Sequence, residues 1–202
     1  MIDAALQPLQ QRFLQSPAQL LDQWGVKADQ ITLFGFLLGV MVVPALAFQA
    51  YPLALLFLLL NRLADGLDGA VARIKEPTDR GAFLDNSCDF VFYALFPLGF
   101  ALADPVNALP AAVLISSFVG TGSSFLAYAV IAAKRGETAT AFPKKGLYYL
   151  GGLTEGFETI ILFVGMCLFP MFFPQLAYFF AVACAITTIS RWYLGWVAFS
   201  KS

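Results

Sequence analysis

A chain of 202 residues that is 59% hydrophobic and only 12% charged, with a mean hydropathy of +0.75, has too little polar surface to enclose a core in water; this excludes an ordinary soluble domain and marks a membrane protein. Twelve basic residues against thirteen acidic ones leave no positive field for a nucleic acid. The absence of histidine excludes Ser-His-Asp hydrolysis, histidine phosphorylation and imidazole-ligated zinc, so any base or metal ligand must be a carboxylate or another oxygen donor.

Residues 1–30 read as a juxtamembrane helix. Leu6, Leu9, Phe13, Leu20, Leu21 and Trp24 recur at helical spacing with Gln and Asp on other faces, which predicts an amphipathic helix lying on the membrane. "SPAQ" at 16–19 predicts a restart, with Ser16 as N-cap, Pro17 at the first helical position and Gln19 completing a capping box. No charged n-region leads into a continuous apolar core with a cleavage site, so the segment is not a signal peptide. Six runs of bilayer length follow at 31–49, 52–71, 82–103, 111–133, 153–170 and 176–197, forming with the first helix one domain, its bundle at 31–197.

Six spans put both termini on one side. Arg12 and Lys27, then Arg62, Arg73, Lys75 and Arg80, then Lys134, Arg135, Lys144 and Lys145, and finally Arg191 and Lys201 all fall at that side. The other three connections carry no lysine or arginine, so the positive-inside rule places both termini and the second connection in the cytoplasm. Cys88, Cys167 and Cys184 lie in apolar stretches without metal-type spacing and read as small buried hydrophobes.

The second connection is flanked by acid: "DGLDGAVARIKEPTDRGAFLDNSCD" spans 65–89. At about 100° per residue, Asn61, Asp65, Asp68, Gly69 and Ala72 share a face of the second span, with Arg73 at its edge; Gly81, Asp85, Cys88 and Asp89 share a face of the third. An antiparallel pairing of these helices would bring four carboxylates together. Their mutual repulsion calls for a cation, and hard oxygen donors select Mg²⁺, Mn²⁺ or Ca²⁺ over zinc. Gly69, Ala72 and Gly81 leave room for a bulky ligand and Arg73 offers a fork for phosphate, which together suggest a diphosphate. Asp-Gly pairs also form turns, and acids at helix ends are often merely solvated; "GAVAR", however, continues the helical pattern, and acids inside a membrane are functional by default. A carboxylate-lined cation or proton-coupled transporter accounts for the acids but not for the Gly, Ala and Arg spacing. A prenyltransferase would carry two Asp motifs far apart in a longer chain.

Asp65, Asp68-Gly69, Ala72-Arg73, Gly81, Asp85 and Asp89, in that order and spacing, resemble the signature of the CDP-alcohol phosphotransferases (CDP-alcohol phosphatidyltransferases), with seven residues between Arg73 and Gly81 where the family usually has about eight. "ADQIT" at 28–32 is similar to the family segment that opens the first span and contacts the nucleotide, with Asp29 where Asn is usual. The overall pattern, including "LTEGFET", is similar to a bacterial inner-membrane subgroup. The resemblance implies an all-α, multi-pass bundle of six transmembrane helices in the inner (plasma) membrane, preceded by an amphipathic interfacial helix and assembled as a homodimer. It implies transfer of a phosphatidyl group from a CDP-linked lipid such as CDP-diacylglycerol to an alcohol hydroxyl, with release of CMP, in phospholipid biosynthesis. Asp65, Asp68 and Asp85 would then hold one or two ions of Mg²⁺ or Mn²⁺, Asp89 would take the hydroxyl proton and reach a second metal, and Asp29, Thr32, Asn61, Gly69, Ala72, Arg73 and Gly81 would shape the nucleotide pocket.

Three further features bear on the acceptor and the packing. Glu155 and Glu158 stand three apart at the start of the fifth span, where they either line the same cavity or favour the helix start through its dipole. Lys144, Lys145 and Arg191 suit a phosphorylated acceptor, or equally headgroups and orientation; the mixed charge leans toward a non-phosphorylated alcohol. "GTGSS" at 120–124 reads as a helix-packing stripe.

Overall fold

The computed structural model describes residues 2–136 and 153–200, and among these all regular structure is helical. Seven α-helices follow in order: α1 Ile2–Gln23, α2 Ala28–Ala47, α3 Tyr51–Lys75, α4 Asp79–Ala103, α5 Ala108–Lys134, α6 Gly156–Leu168 and α7 Phe173–Phe199. Short 3-10 turns, Pro105–Asn107 and Pro170–Phe172, lead into α5 and α7.

Helix α1 is continuous through Ser16 and Pro17, so the expected restart does not occur. Ala18 is wholly buried against α3, with Leu14 and Leu21 packed beside it one turn either way, and that contact requires an unbroken face. Phe13, Leu20 and Trp24 point away from it and stay exposed. The apolar positions of α1 therefore serve two faces. Its end is a Schellman turn, with Gly25 at φ +76° and Val26 N–H donating to the Leu21 carbonyl at 3.0 Å. Lys75 at the end of α3 pairs with Asp22 at 2.7 Å and ties the two helices.

Among the described residues, four helices are long and apolar enough to cross a membrane: α2, α4, α5 with its leading turn, and α7 with its leading turn. Their outward faces carry the apolar side chains that a soluble protein would hide, among them Phe34, Leu37, Val119, Val130, Phe179 and Trp196. Helix α3 has the length, but Asn61, Arg62, Asp65 and Asp68 interrupt its apolar run. Helix α6, thirteen residues long, is shorter than the expected run 153–170, because Glu155 caps its start and Pro170 opens a new turn after it.

Helix α2 packs on both α3 and α4 and stands between them, where an antiparallel pair of α3 and α4 was expected. Glycine makes the wedge possible. A Cβ at Gly35 would fall 2.7 Å from Ala64 Cβ, and one at Gly39 would fall 2.8 Å from the Phe92 ring. Residues 76–78 alone join α3 to α4, and Glu76 at φ +79° turns the chain sharply out of α3. Toward the far end the bundle closes on a packed aromatic core: Phe96 stacks on Phe163 at 3.8 Å between ring centroids and Phe100 on Phe173 at 4.2 Å. Helices α5 and α7 run parallel, with Gly120 against Thr188 and Gly122 against Phe90 of α4, so the "GTGSS" stripe lies in packing contacts. Arg135 donates to the carbonyls of Ala198 and Phe199 at 3.2 and 3.1 Å, joining the ends of α5 and α7.

Candidate metal centre and cavity

Because α2 holds α3 and α4 apart, their polar faces look into a shared cavity of about 800 Å³. Carboxylate oxygens of Asp65 and Asp68 from α3 and of Asp85 from α4 lie within 4.8 Å of one another. Asp65 and Asp68 meet because residues three apart fall on adjacent turns of one face, and Asp85 comes from the opposing helix. Three convergent carboxylates, with neither histidine nor thiolate among them, suit a hard divalent ion, and repulsion between them is relieved when one is bound.

The surrounding groups fix this triad. Thr32 of α2 donates its hydroxyl to Asp68 Oδ2 at 2.6 Å, in a buried contact. Asp89, one turn beyond Asp85, is held instead by Arg62, whose Nη2 donates to Asp89 Oδ1 at 2.9 Å while Nη1 lies 3.7 Å from Asp65 Oδ2. In the sequence Arg62 stands out only as an orienting charge. Its place three residues before Asp65 on the same face was the available signal; the reach to Asp89, on another helix, was not.

The residues expected at a nucleotide are distributed as follows. Gly69, Ala72, Arg73 and Gly81 line the cavity, and Arg73 folds back so that its guanidinium lies over Gly69, 3.2 Å from where a Cβ would stand. Asp29 lines it too and is paired with Arg80, beside Gly81. Thr32 lines it with its hydroxyl turned to Asp68. Asn61 is buried off the main cavity: its amide donates to the Gly35 carbonyl at 2.8 Å, and its oxygen accepts from Arg62 Nε at 2.8 Å. Cys88 borders the narrow crevice between Asn61 and the triad, whereas Cys167 is buried in the aromatic core.

The opposite wall comes from α5, α6 and α7. Glu155 and Arg191 are both buried and both line it. Glu155 caps α6: Glu158 reaches back to the Glu155 N–H at 3.1 Å, and the Glu155 side chain accepts from the Glu158 N–H. Arg191 donates to the Thr121 carbonyl at 3.0 Å, with its guanidinium 5.5 Å from the Phe125 ring centroid. Lys144 and Lys145 lie outside the described residues.

A helical membrane-type bundle with a three-aspartate centre facing a cavity defines the class, and the sequence profile of CDP-alcohol phosphatidyltransferase matches residues 26–199. The chain belongs to that family. It is 50% identical over 198 residues to the inner membrane protein YnjF of Escherichia coli, covering 98% of this chain and 96% of YnjF. An uncharacterized protein of Aquifex aeolicus is 31% identical over 166 residues, 81% of this chain and 79% of that protein. The fold matches the Mycobacterium tuberculosis phosphatidylinositol phosphate synthase PgsA1 with CDP-DAG bound, at a TM-score of 0.75 and 21% identity over 92% of this chain and 94% of PgsA1. PgsA1 in complex with manganese and citrate matches at 0.72, again with 21% identity, over 91% and 88%.

Proposed function

We propose that this chain transfers a phosphatidyl group from a CDP-linked lipid such as CDP-diacylglycerol to an alcohol hydroxyl and releases CMP, as a step of phospholipid synthesis. The observation that carries the reading is the Asp65, Asp68 and Asp85 triad opening into the same cavity that Gly69, Ala72, Arg73 and Gly81 line. Membership of the family and the CDP-DAG and manganese bound by the PgsA1 neighbour support it.

In this reading the triad holds Mg²⁺ or Mn²⁺, which supplies charge neutralisation for the diphosphate and for the phosphate that leaves. Arg73 and the small residues seat the nucleotide, and Asp29 stands at the rim of that seat. Asp89, oriented by Arg62, accepts the hydroxyl proton as the acceptor oxygen bonds to the β-phosphorus and the bond to CMP breaks. No covalent enzyme intermediate is needed. The buried Glu155 and Arg191 give the acceptor wall both signs of charge, which favours a neutral polyol or an amine-bearing alcohol over a phosphorylated one. The bundle crosses the inner membrane six times, with α1 on its surface through Phe13, Leu20 and Trp24 and the cavity end in the cytoplasm. The basic residues Lys27, Arg73, Lys75, Arg80, Lys134 and Arg135 gather at that end. The homodimer belongs to the same reading and is checked by the mass of the purified protein in detergent.

Purified protein given CDP-diacylglycerol and a panel of glycerol, serine, inositol and their phosphates should release CMP in the presence of Mg²⁺ or Mn²⁺ and none with chelator. Asp65→Asn, Asp68→Asn and Asp85→Asn should each lower the rate by at least about 10²-fold while the protein stays folded, because each removes a charge rather than packing. Undiminished CMP release from Asp85→Asn, or release in chelator, overturns the assignment.

A further inference from the structure

The wall of the cavity that faces the aspartates holds two charges of opposite sign well below the surface: Glu155 and Arg191 are 7% and 8% exposed, and both line the cavity. Hydrogen bonds fix how near the two residues stand. Thr154 gives both its N–H and its hydroxyl to Thr187 Oγ1, at 3.2 and 3.0 Å, which pins the start of α6 to α7. Glu155 is the next residue along the chain, and Arg191 stands one turn beyond Thr187 on the same face of α7, a spacing of about 5–6 Å between Cβ atoms. Each is also held from another direction. The Glu155 carboxylate accepts from the Glu158 N–H as the cap of α6, while Arg191 donates to the Thr121 carbonyl of α5 at 3.0 Å with its guanidinium near the Phe125 ring. Three helices therefore set the acid and the base side by side.

Charge is costly to bury unless it is balanced, and the charges of Glu155 and Arg191 sum to zero. A phosphorylated alcohol brings negative charge into a cavity already rich in aspartate, a simple polyol offers this wall neither a cation nor an anion, and an amino alcohol offers only a cation. A molecule with an ammonium and a carboxylate on one carbon complements both residues and adds no net charge. We propose that the acceptor is a hydroxy-amino acid of the serine type, with its ammonium on Glu155, its carboxylate on the Arg191 fork and its hydroxyl directed across the cavity to Asp89. The proposal rests on the phosphatidyl transfer described above and narrows its acceptor. The amino acid's hydroxyl oxygen bonds to the β-phosphorus, the bond from that phosphorus to the CMP oxygen breaks, the hydroxyl proton passes to Asp89, and the product is a phosphatidyl amino acid. Glu155 and Arg191 grip parts of the acceptor that do not react, so their loss falls on KM more than on kcat.

The full chain in detergent is given CDP-diacylglycerol, Mg²⁺ or Mn²⁺ and one acceptor at a time: serine, ethanolamine, which lacks the carboxylate, 3-hydroxypropanoate, which lacks the ammonium, glycerol, inositol or glycerol 3-phosphate. CMP release gives the rate and mass spectrometry identifies the lipid formed. Serine should lead every other acceptor by about 10-fold or more in kcat/KM, because each truncated analogue leaves one charged group of the wall without its ligand contact. Glu155→Gln should raise the KM for serine by about 10-fold or more and leave that for 3-hydroxypropanoate within about 3-fold, whereas Arg191→Gln should raise the KM for serine and spare ethanolamine in the same way. A merely structural role would move all acceptors together. Preference for glycerol 3-phosphate, a polyol or ethanolamine, or equal use of serine and either truncated analogue, overturns this proposal and leaves the transfer reading standing. Absence of CMP release with every acceptor overturns both. If the Arg191→Gln protein does not fold, the wild-type ranking and Glu155→Gln decide.

Discussion

The hydroxyl of Thr32 has one proton and two acceptors within reach, the Ala28 carbonyl at 3.1 Å and Asp68 Oδ2 at 2.6 Å. The shorter, charge-assisted contact wins, and both partners are buried. Thr32→Val keeps the shape and removes the donor. A hydrogen bond to a charged group contributes about 1.5–3 kcal/mol, and at about 1.4 kcal/mol per factor of ten its loss corresponds to about 10–150-fold. With Asp68 no longer oriented, that factor should appear in the apparent Kd for Mn²⁺, in line with the cost of removing an outer-shell partner of a metal ligand. Thr32→Ser, which retains the donor, should stay within about 3-fold of wild type on the same reasoning. The assay is a Mn²⁺ titration of the purified protein, paired with CMP release at saturating metal across a range of CDP-diacylglycerol concentrations. If Thr32 served the nucleotide directly, Thr32→Val would raise the KM for the donor and leave the metal affinity alone. That outcome, or a Kd for Mn²⁺ within about 3-fold of wild type, refutes the reasoning.

Two further outcomes follow from the packing and the topology. Gly35→Leu drives a side chain into Ala64, which a Cβ at that site already approaches to 2.7 Å, and should destabilise the bundle by about 1–3 kcal/mol, read as a lower thermal midpoint in detergent. Single cysteines at Asp79, which opens α4, and at Val106, in the turn that follows α4, in a background lacking the native three, should be labelled from opposite sides of intact inner-membrane vesicles, with position 79 on the cytoplasmic face.

Helical periodicity and hydropathy carry most of what the sequence discloses here. The period near 3.6 places Asp65, Asp68 and Gly69 on one face and Asp85 and Asp89 on another, and those faces do open on one cavity. What periodicity cannot give is a neighbour in three dimensions. The Thr32 to Asp68 and Arg62 to Asp89 contacts join residues 36 and 27 apart, so Arg62 read as an orienting charge and Thr32 as a nucleotide contact. The wedge of α2 was equally hidden, because Gly35 and Gly39 in an apolar helix read only as small residues until Ala64 and Phe92 stand against them. Local signals also misled where tertiary packing was stronger: "SPAQ" has the composition of a helix start, yet burial of Ala18 on α3 holds the turn within one helix.

The wedge has a mechanical consequence. On the cavity side Arg62 joins α3 to α4, by its hydrogen bond to Asp89 and its place over Phe92; the covalent link is the bend at 76–78, and most of the remaining packing between them runs through α2. Asp65 and Asp68 on one lever and Asp85 on the other therefore make any bound cation a rivet across a joint. A ligand that binds only the assembled joint adds RT ln(1 + [L]/Kd) to its hold, about 2.7 kcal/mol at a hundred times Kd. An ion bound there would thus also draw the two levers together, and its removal would be expected to loosen the cavity mouth while leaving the aromatic core packed.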